Sequence, residues 1–396
     1  MAFPLEGIKV LDFSRVLAGP YATRMLSDLG ADVVKVEPPE GDVTRNFGRK
    51  VNGLSGYFTQ QNVGKRDISI DLGVEGAKEL IHELAAQADV VVENFRPGIM
   101  DGFGIGWEQL SKVNPALVML SISGFGQKGP ERGRAAYAPI LHAETGLLAR
   151  QAQVTGNPTQ DYSLSIADTY SSLHGLVGVL SAVIMAKNTG AGQHIDLAML
   201  NVLHGTDDYA NFALDGARPQ AGGGEIWAGP GGVEVMIAGD FKWLWHNLSR
   251  RGGMEDPAGP DDALDDKIAK RRAVAAEYLR SFPTYEDMLA SLDDMNLAWG
   301  RVRQFGDDAF SAPSVEARGI LVDVDDRSGG TRRTIQSPYK FSGAQSGVSP
   351  EAGAPHRGEH NYDALADWLD KPASAVDSLV ESGILVADEA AQDLQT

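Results

Sequence analysis

Asp168 is the residue whose type and position in this sequence have the most chemical content. Apolar residues recur at i, i+3 and i+4 from Leu173 to Ile184, which predicts a helix with Asp168 in its first turn or just before it. The glycine turn Thr189 to Gly192 ends that helix, and His194 to Leu200 then alternates as a strand does. From spacing alone, Asp168 is either a helix cap that complements the positive end of the dipole or a carboxylate available for catalysis.

Two further side chains could take part in chemistry, and each also has a purely structural interpretation. Arg96 follows the predicted strand Asp89 to Glu93, at the end where open α/β sheets place ligand loops. It is therefore either a solvated loop cation or an anion ligand. His142 lies in a segment of mixed apolar character and is interpreted as a packed or solvated histidine outside the site.

The elements that must position these residues indicate an α/β fold. A strand over Gly7 to Phe13, a helix over Tyr21 to Leu29 and a strand over Asp32 to Glu37 form a β-α-β unit. The pattern then repeats, but no GxGxxG follows the first strand, so a dinucleotide fingerprint is absent. The expected organisation is a large domain over 1–205, a small domain over 225–325, and a segment over 326–396 that returns to the large domain.

Some stretches are predicted to lack regular structure. They are an irregular surface segment over Asp42 to Gly64, a polar loop over Gln151 to Asp161, and a frayed acidic tail over Asp388 to Thr396. The glycines Gly222 to Gly224 lie in a turn-rich region between the two predicted domains.

Composition limits the classes of function. The 396 residues are 43% hydrophobic, which is enough for two domains or one large domain with an insertion. The net charge of −19 argues against nucleic acid and anionic membranes as partners, so an anionic ligand needs a local basic pocket. With no cysteine, disulfides, thiolate catalysis and Cys-ligated metal are excluded, and no metal is expected. The start lacks a signal-peptide pattern, so the expected location is cytoplasmic.

Six segments, in order along most of the chain, resemble one known family. They are GIKVLDFSRVLAGPYATRMLSDLGADVVKVEPPEGD, NVGKRDISIDL, ADVVVENFRPG, LVMLSISGFGQKGP, ADTYSSLHGLVGVLSA with TGAGQHIDLAML, and SPYKFSG with APHRGEH. The sequence is therefore identified as a member of the class III CoA-transferases. That group includes formyl-CoA transferase and carnitine CoA-transferase, and α-methylacyl-CoA racemase shares its fold.

The resemblance implies a fold, an assembly and a reaction. The fold is a large Rossmann-like domain with an open parallel sheet, formed by both chain ends, and a smaller α+β middle domain, in an interlocked homodimer. The family's nucleophile is an aspartate at the position of Asp168, which attacks the thioester of an acyl-CoA. CoA then reaches a free carboxylic acid through aspartyl anhydride and aspartyl-CoA thioester intermediates. Coenzyme A thus enters as part of the acyl-CoA substrate of an EC 2.8.3 type enzyme.

Family positions carried over onto matching residues give an expected CoA site. Its residues are Val16, Leu17, Ala18, Asp71, Leu72, Gly73, Asn94, Phe95, Arg96, Tyr137 and Ala138. Within this set Arg96 is expected to be a phosphate ligand. Some relatives have arginine where Pro38 and Gly102 stand here. The candidates to replace those two cations are Arg45, Lys65 and Arg66.

Two alternatives stay open on the same resemblance. One is an acyl-CoA racemase, epimerase or lyase, which moves an α-proton; the racemase pairs its aspartate with a histidine of a GHDxNY motif. Tyr137 stands where that histidine would be, and tyrosine, whose pKa is near 10, is a poor second base. The other alternative is a CoA-binding subunit of a heteromeric transferase. The family's mobile glycine loop matches Gly222 to Gly224 only over a short stretch.

Overall fold

The computed structural model of the chain describes residues 1–217 and 222–395 and contains two compact units. The larger unit consists of Met1–Pro219 together with Arg318–Thr396, and the smaller unit is Gln220–Ala317. The larger unit is thus built from both chain ends, and the middle of the chain forms the smaller one. The finer domain limits at residues 205, 225 and 325 stay a prediction.

Strands and helices alternate through the N-terminal part of the larger unit. The strands are β1 (Lys9–Asp12), β2 (Asp32–Glu37), β3 (Lys50–Val51), β4 (Leu54–Ser55), β5 (Arg66–Ile70), β6 (Val90–Glu93), β7 (Val118–Ser123) and β8 (Gln193–Ala198). The helices are α1 (Ala18–Asp28), α2 (Gly56–Asn62), α3 (Ala77–Gln87), α4 (Ile99–Gly102), α5 (Trp107–Val113), α6 (Ala138–Glu144), α7 (Leu147–Thr155), α8 (Ile166–Thr189), α9 (Met199–Thr206) and α10 (Ala210–Leu214).

The chain then passes through the smaller unit and returns to the larger one. The smaller unit contains β9 (Gly224–Ala228), β10 (Glu234–Ala238), α11 (Phe241–Arg250), α12 (Leu264–Arg280), α13 (Tyr285–Asp294), β11 (Trp299–Arg301), α14 (Asp307–Phe310) and α15 (Pro313–Ala317). The C-terminal part adds β12 (Leu321–Asp325), β13 (Thr331–Ile335), α16 (Asn361–Leu369), α17 (Ala373–Glu381), β14 (Leu385–Val386) and α18 (Glu389–Gln395).

The larger unit is organised around a seven-stranded sheet in the order β14-β5-β2-β1-β6-β7-β8. All neighbouring strands are parallel except β14, which pairs antiparallel with β5. The mixed α/β fold with a mostly parallel sheet is the predicted fold class, which is confirmed. From β1 the chain first builds outward through β2 and β5, and then returns to place β6 on the other side of β1. The topological switch point therefore lies between β1 and β6, where open α/β sheets bind ligands beyond the carboxyl ends of the strands.

The central strands are buried on both faces. In β1, Val10 and Leu11 are both 0% exposed, and their side chains belong to different hydrophobic clusters on opposite faces of the sheet. Helices α1 and α8 cover the face of Val10, while α3, α5 and α16 cover the face of Leu11. The sheet therefore separates α8, which contains Asp168, from the helices of the other face.

Helix α8 is the longest element of the larger unit and has an exposed apolar side. Its buried residues pack against α1 and β7, whereas Leu173, Val177 and Ile184 are 44%, 64% and 63% exposed. Among the described residues, α8 is the one helix long and apolar enough to cross a membrane by length and composition. One such helix does not by itself indicate a membrane protein, because core helices of other proteins satisfy the same criteria.

Ion pairs with little solvent exposure connect β1, β2 and β5. These pairs are Lys65 with Asp12 at 3.1 Å, Lys35 with Asp42 at 3.2 Å, and Arg45 with Glu37 at 2.8 Å and with Asp67 at 3.4 Å. Burial raises the pKa of the Asp67 carboxyl well above its usual value, and the nearby Glu37 carboxylate adds to this rise. The charges in the pairs Lys65–Asp12, Lys35–Asp42 and Arg45–Glu37 are tolerated at this depth because each has a partner of opposite sign and further hydrogen bonds.

The smaller unit has a core of its own. Its sheet, in the order β11-β10-β9, is antiparallel and packs Val235 and Trp227 against its helices. The guanidinium of Arg272 lies 2.6 Å from a carboxylate oxygen of Glu225 and 4.3 Å from the centroid of the Phe241 ring. The glycines Gly222 to Gly224 lead into β9 within this unit, where Gly224 pairs with Ala238.

Regular structure extends into all three stretches predicted to be irregular. The segment over residues 42–64 contains β3, β4 and α2, and α7 continues to Thr155 inside the predicted polar loop. The acidic tail contains α18, and Thr396 lies outside the described residues. These predictions were wrong because capping and tertiary contacts stabilise short elements whose sequence periodicity is weak: the Ser55 hydroxyl, for example, caps α2 by accepting from the N–H of Phe58 at 2.9 Å.

Candidate active site

Asp168 is the third residue of α8 and lies in its first turn. Ser165, the residue just before α8, makes no side-chain capping hydrogen bond. The imidazole of His142 takes this role, because its Nε2 accepts from the backbone N–H of Ala167 at 3.2 Å. The Asp168 carboxylate accepts hydrogen bonds from its own N–H and from the N–H of Ala138, the first residue of α6. Asp168 is thus held between the starts of two helices.

Burial raises the pKa of the Asp168 carboxyl to about 6. The two backbone N–H donors stabilise the carboxylate and oppose this rise in pKa, as His142 does when its ring is charged, but the loss of hydration outweighs them. The group is therefore mostly ionised at neutral pH while it is poorly hydrated. A carboxylate in this state can act as a nucleophile or as a general base.

The two ring nitrogens of His142 are both occupied. Because Nε2 faces a backbone N–H, it must be the acceptor, so we assign the proton to Nδ1. Nδ1 lies 2.8 Å from a carboxylate oxygen of Asp161 and donates to it. The imidazole is 1% exposed and connects α6 to the start of α8. The sequence interpretation of a packed histidine is right about its burial, but it missed the contact that fixes the position of Asp168.

Tyr57 is a neighbour of Asp168 that the sequence analysis missed. Burial raises the pKa of the Tyr57 hydroxyl, and the negative charges of Asp168 and Asp42 raise it further. Its ring lies 5.5 Å from that of Phe47, centroid to centroid, in an edge-to-face arrangement. Tyr57 is on α2, within the segment predicted to be irregular. Ser55, a favourable N-cap residue just before it, was the sequence signal for this helix.

The expected CoA residues at the ends of β1 and β6 are brought together at the switch point. The Asn94 side chain accepts from the N–H of Arg15 and donates to its carbonyl oxygen, both at 2.8 Å. The carboxylate of Glu93 accepts from the N–H of Phe95 at 2.8 Å, and burial raises the pKa of Glu93 to about 7. Val16 has φ of 70°, a left-handed conformation that is strained for a β-branched residue.

A short connection links this edge of the sheet to Asp168. The hydroxyl of Ser172 lies 2.7 Å from the carbonyl oxygen of Ala18 and 2.9 Å from that of Asp168. Ala18 is the first residue of α1, which follows the strained turn at Val16. Hydrogen bonds thus link Ala18 to Asp168 through Ser172 and link Ala138 to Asp168 directly, while Asn94 is bonded to Arg15.

Neither the Tyr137 side chain nor the segment over Asp71 to Gly73 has a hydrogen bond to Asp168 within the described residues. Tyr137 precedes α6 and is 67% exposed. Asp71 to Gly73 follow β5, which is separated from β1 by β2, and the Asp71 carboxylate accepts from the N–H of Gly73 at 2.8 Å. No hydrogen bond of the described residues joins this segment to Asp168 or Asn94. Its part in the site stays a prediction.

The basic side chains suggested as replacements for the two missing arginines are engaged inside the protein. Arg45 and Arg66 form ion pairs with carboxylates of the larger unit. Lys65 is 3% exposed and its ammonium group lies 3.1 Å from Asp12. The suggestion that Lys65 contacts a phosphate is therefore wrong, since its donors face buried protein oxygens. Arg96, by contrast, is exposed and pairs with no carboxylate among the described residues.

One histidine pair has a spacing that metal sites also use. His356 and His360 are four residues apart, but Nδ1 of His360 faces the backbone N–H of Asp67 at 3.2 Å. Burial, with the charges of Arg327 and Arg66, lowers the pKa of His360 to about 4. Within residues 1–217 and 222–395, no group of three or more His, Asp or Glu side chains is arranged to hold a metal ion.

Comparisons with a family model and with individual known proteins agree on the family of this chain. The model of the family described as CoA-transferase family III matches residues 5–361. The chain is 31% identical over 387 residues to a succinate–glutarate CoA-transferase of Agrobacterium fabrum, covering 92% of this chain and 95% of that protein. It is 30% identical over 420 residues to a formyl-CoA:oxalate CoA-transferase of Streptomyces avermitilis, covering 97% of this chain and 100% of that protein.

A solved structure agrees with these sequence comparisons. The crystal structure of a CAIB/BAIF family protein from Brucella suis superimposes with a TM-score of 0.78 at 32% identity, covering 93% of this chain and 100% of that one. The family predicted from the sequence motifs is confirmed. The chain belongs to CoA-transferase family III and is a class III CoA-transferase.

Proposed function

We propose that this enzyme transfers CoA from an acyl-CoA thioester to a free carboxylic acid, with Asp168 as the nucleophile. The observation that carries the proposal is the state of the Asp168 carboxyl, which is partly buried at the start of α8 with a pKa of about 6. At neutral pH it is ionised, and its poor hydration leaves the oxygen lone pairs available for attack on a thioester.

The proposed reaction consists of four acyl exchanges. An oxygen of Asp168 attacks the thioester carbon, the C–S bond breaks, and a mixed anhydride and CoA thiolate form. The thiolate attacks the carboxyl carbon of Asp168, which releases the donor acid and leaves an aspartyl-CoA thioester. The acceptor carboxylate attacks this thioester to give a second anhydride and thiolate. The thiolate finally attacks the acceptor acyl carbon, which forms the new acyl-CoA and restores the Asp168 carboxylate.

Two features of the site support these steps. Every intermediate is an activated acyl derivative, so a carboxylate nucleophile preserves the energy of the thioester. The attack of the CoA thiolate on the first anhydride and the attack of the acceptor carboxylate on the aspartyl-CoA thioester both place negative charge on an oxygen of the Asp168 carboxyl group, to which the Ala138 N–H already donates. The first turn of α8 adds the positive end of its dipole at the same position.

A racemase or lyase activity requires a second acid–base group opposite Asp168. Tyr137, at the position of the racemase histidine, is largely exposed. His142 is close to Asp168, but both of its ring nitrogens are engaged, one by the Ala167 N–H and one by Asp161. Neither side chain is therefore arranged as the partner base, which favours transfer of CoA over transfer of an α-proton.

A matrix of acyl-CoA donors and carboxylic acid acceptors, analysed by mass spectrometry, tests the proposed function. Succinyl-CoA, glutarate, oxalate and mesaconate are suitable members, since these groups occur in the names of the relatives. We expect a new acyl-CoA only when an acceptor acid is present. Uptake of solvent deuterium at the α-carbon without acceptor would instead establish the racemase or lyase. Tight CoA binding without turnover of any donor would establish a binding subunit.

We also propose that the enzyme is an interlocked homodimer located in the cytoplasm. The stripe of Leu173, Val177 and Ile184 on α8 is exposed in the single chain, and a second copy would remove this apolar surface from water. Sedimentation equilibrium of the purified protein is expected to give twice the mass of the chain. A monomer mass at micromolar concentration would contradict this assembly.

The pH dependence of transfer follows from the pKa of Asp168. Because the deprotonated carboxylate is the reactive form and its pKa is about 6, kcat/KM is expected to fall about tenfold per pH unit below pH 6. Above pH 7 the contribution of this group is constant. Phosphate groups of CoA also titrate near pH 6, so the profile is recorded with an acyl-pantetheine as control. A flat profile between pH 5 and 7 with both substrates would contradict the assignment.

His142 is expected to act as a positioning residue. His142→Phe removes the acceptor for the buried N–H of Ala167 and should lower the free energy of unfolding by about 1–3 kcal/mol. It should also lower kcat with little change in KM, because the first turn of α8, which carries Asp168, loses the contact that fixes its position. Asp161→Asn is the matched control, since its amide oxygen still accepts from Nδ1 of His142. An unchanged kcat in His142→Phe would leave the histidine with a purely structural role.

A further inference from the structure

Asn94 joins the ends of β1 and β6 by holding the backbone of Arg15. Its side-chain oxygen accepts from the Arg15 N–H and its side-chain nitrogen donates to the Arg15 carbonyl oxygen, both at 2.8 Å. The Asn94 amide therefore makes the same two hydrogen bonds to Arg15 that the backbone of a neighbouring strand would make, at a position beyond the end of β1. One of its two donors and one of its two acceptor positions are used in this way, so Asn94 positions the backbone of Arg15.

The turn that follows Arg15 is fixed in a strained conformation. Val16 has φ of 70°, and its N–H lies 3.3 Å from a carboxylate oxygen of Asp42. Gly19 permits the close approach of α1, because a Cβ there would stand 2.1 Å from Cβ of Ser14. Such a conformation persists only where surrounding contacts determine it, and strained positions of this kind concentrate at ligand sites.

The Arg15 side chain is exposed and has no ion-pair partner within residues 1–217 and 222–395. Its guanidinium carbon lies 5.3 Å from the centroid of the Phe95 ring. Arg24, Arg45 and Arg66 all pair with carboxylates, whereas Arg15 pairs with none among the described residues. Arg15 and Arg96 thus present two unneutralised guanidinium groups from the two strand ends that flank the switch point.

Local charge decides what these two cations could bind. The chain has a net charge of −19, so a polyanion is repelled unless cations are concentrated where it binds. Arginine is well suited to phosphate because its planar fork of N–H donors matches two phosphate oxygens. The switch point beyond β1 is also where α/β sheets place ligand phosphates.

We infer that Arg15, held in place by Asn94, binds a phosphate of the nucleotide end of the acyl-CoA together with Arg96. This inference rests on the proposed function, because it takes acyl-CoA as the substrate. It adds to that function a second phosphate ligand, which would replace the cations absent at Pro38 and Gly102.

Calorimetric titration of the full chain with CoA, dephospho-CoA and pantetheine tests the inference without requiring turnover. For Arg15→Gln we expect CoA to bind about 10- to 100-fold more weakly and pantetheine to bind as in the unaltered protein. A deficit that persists with dephospho-CoA places Arg15 on the diphosphate, and one that vanishes places it on the 3′-phosphate. Arg15→Lys should recover part of the affinity, since it keeps the charge but loses the fork.

A matched control and a second variant complete the test. Arg271 also lies over an aromatic ring, 5.6 Å from the centroid of Trp245, but it is paired with Asp256, so Arg271→Gln should bind CoA normally. Asn94→Asp removes the donor to the Arg15 carbonyl oxygen and should weaken CoA binding while pantetheine binding is retained.

Two outcomes would overturn the inference: unchanged CoA affinity in Arg15→Gln, or an equal loss for CoA and pantetheine, which indicates disturbed folding instead of a lost phosphate contact. The proposed function is tested separately by transfer in the unaltered protein. If that protein binds CoA but transfers nothing, the proposed function fails while a phosphate-specific deficit in Arg15→Gln still supports the role of Arg15.

Discussion

Replacing Asp168 with alanine is expected to lower the rate of CoA transfer at least about 10³-fold, because the chain then lacks the group that forms every covalent intermediate. Asp168→Asn should lose as much activity, although its amide oxygen still accepts from the Ala138 N–H. The Asn variant therefore separates a covalent role from a positioning role. Rates are measured by mass spectrometry of acyl-CoA species. Retention of much of the activity in either variant would overturn the proposed mechanism.

Covalent capture provides direct support for the same role. Hydroxylamine added during turnover should convert activated Asp168 to a hydroxamate, detected as a mass increase on the peptide that contains this residue. With a heavy-oxygen-labelled acceptor acid, one labelled oxygen should pass to the Asp168 carboxyl in each transfer, because the second anhydride shares its bridging oxygen. Glu381→Gln, an exposed carboxylate at the end of α17, is the control and should leave transfer and labelling unchanged. Labelling confined to other residues would contradict the proposal.

Lys65→Met is expected to destabilise the protein by about 3–5 kcal/mol, because it leaves the Asp12 carboxylate buried without its cation. Both side chains are fully buried, and the Lys65 ammonium lies 3.1 Å from Asp12 and 2.8 Å from the hydroxyl of Thr23. Burial lowers the pKa of Lys65 to about 8. The folded state thus binds this proton less tightly than the unfolded chain, so this group favours folding more as pH rises from 8 to 10. Equilibrium unfolding in urea measures the loss.

The double variant Asp12→Leu with Lys65→Met separates the loss of a charge partner from the loss of a side chain. Because it removes both charges, it should be less destabilised than Lys65→Met alone. Arg333→Met is the surface control: Arg333 pairs with Asp323 where both side chains are more than half exposed, so no measurable change in stability is expected. If Lys65→Met unfolds like the unaltered protein, the buried pair does not contribute as described.

Local sequence patterns predicted the elements of the larger unit with regular periodicity. The helical spacing of apolar residues after Asp168 gave α8, and the glycine after Thr189 gave its end, where Gly190 has φ of 72°. Runs of β-branched residues gave β2 and β6 within one residue of their observed limits. These predictions succeed because propensity and periodicity act between residues that are close in the chain.

The sequence by itself determined the family, the α/β fold class and the aspartate at the start of α8. Only the tertiary structure decided how that carboxylate is held: His142 contacts Ala167 across 25 positions of the chain, and Asn94 contacts Arg15 across 79. It also showed that Lys65, which the sequence analysis suggested as a phosphate ligand, forms a buried ion pair with Asp12 instead. Burial and charge pairing depend on residues that are distant in the chain, and these set both the pKa of Asp168 and the identity of the free cations.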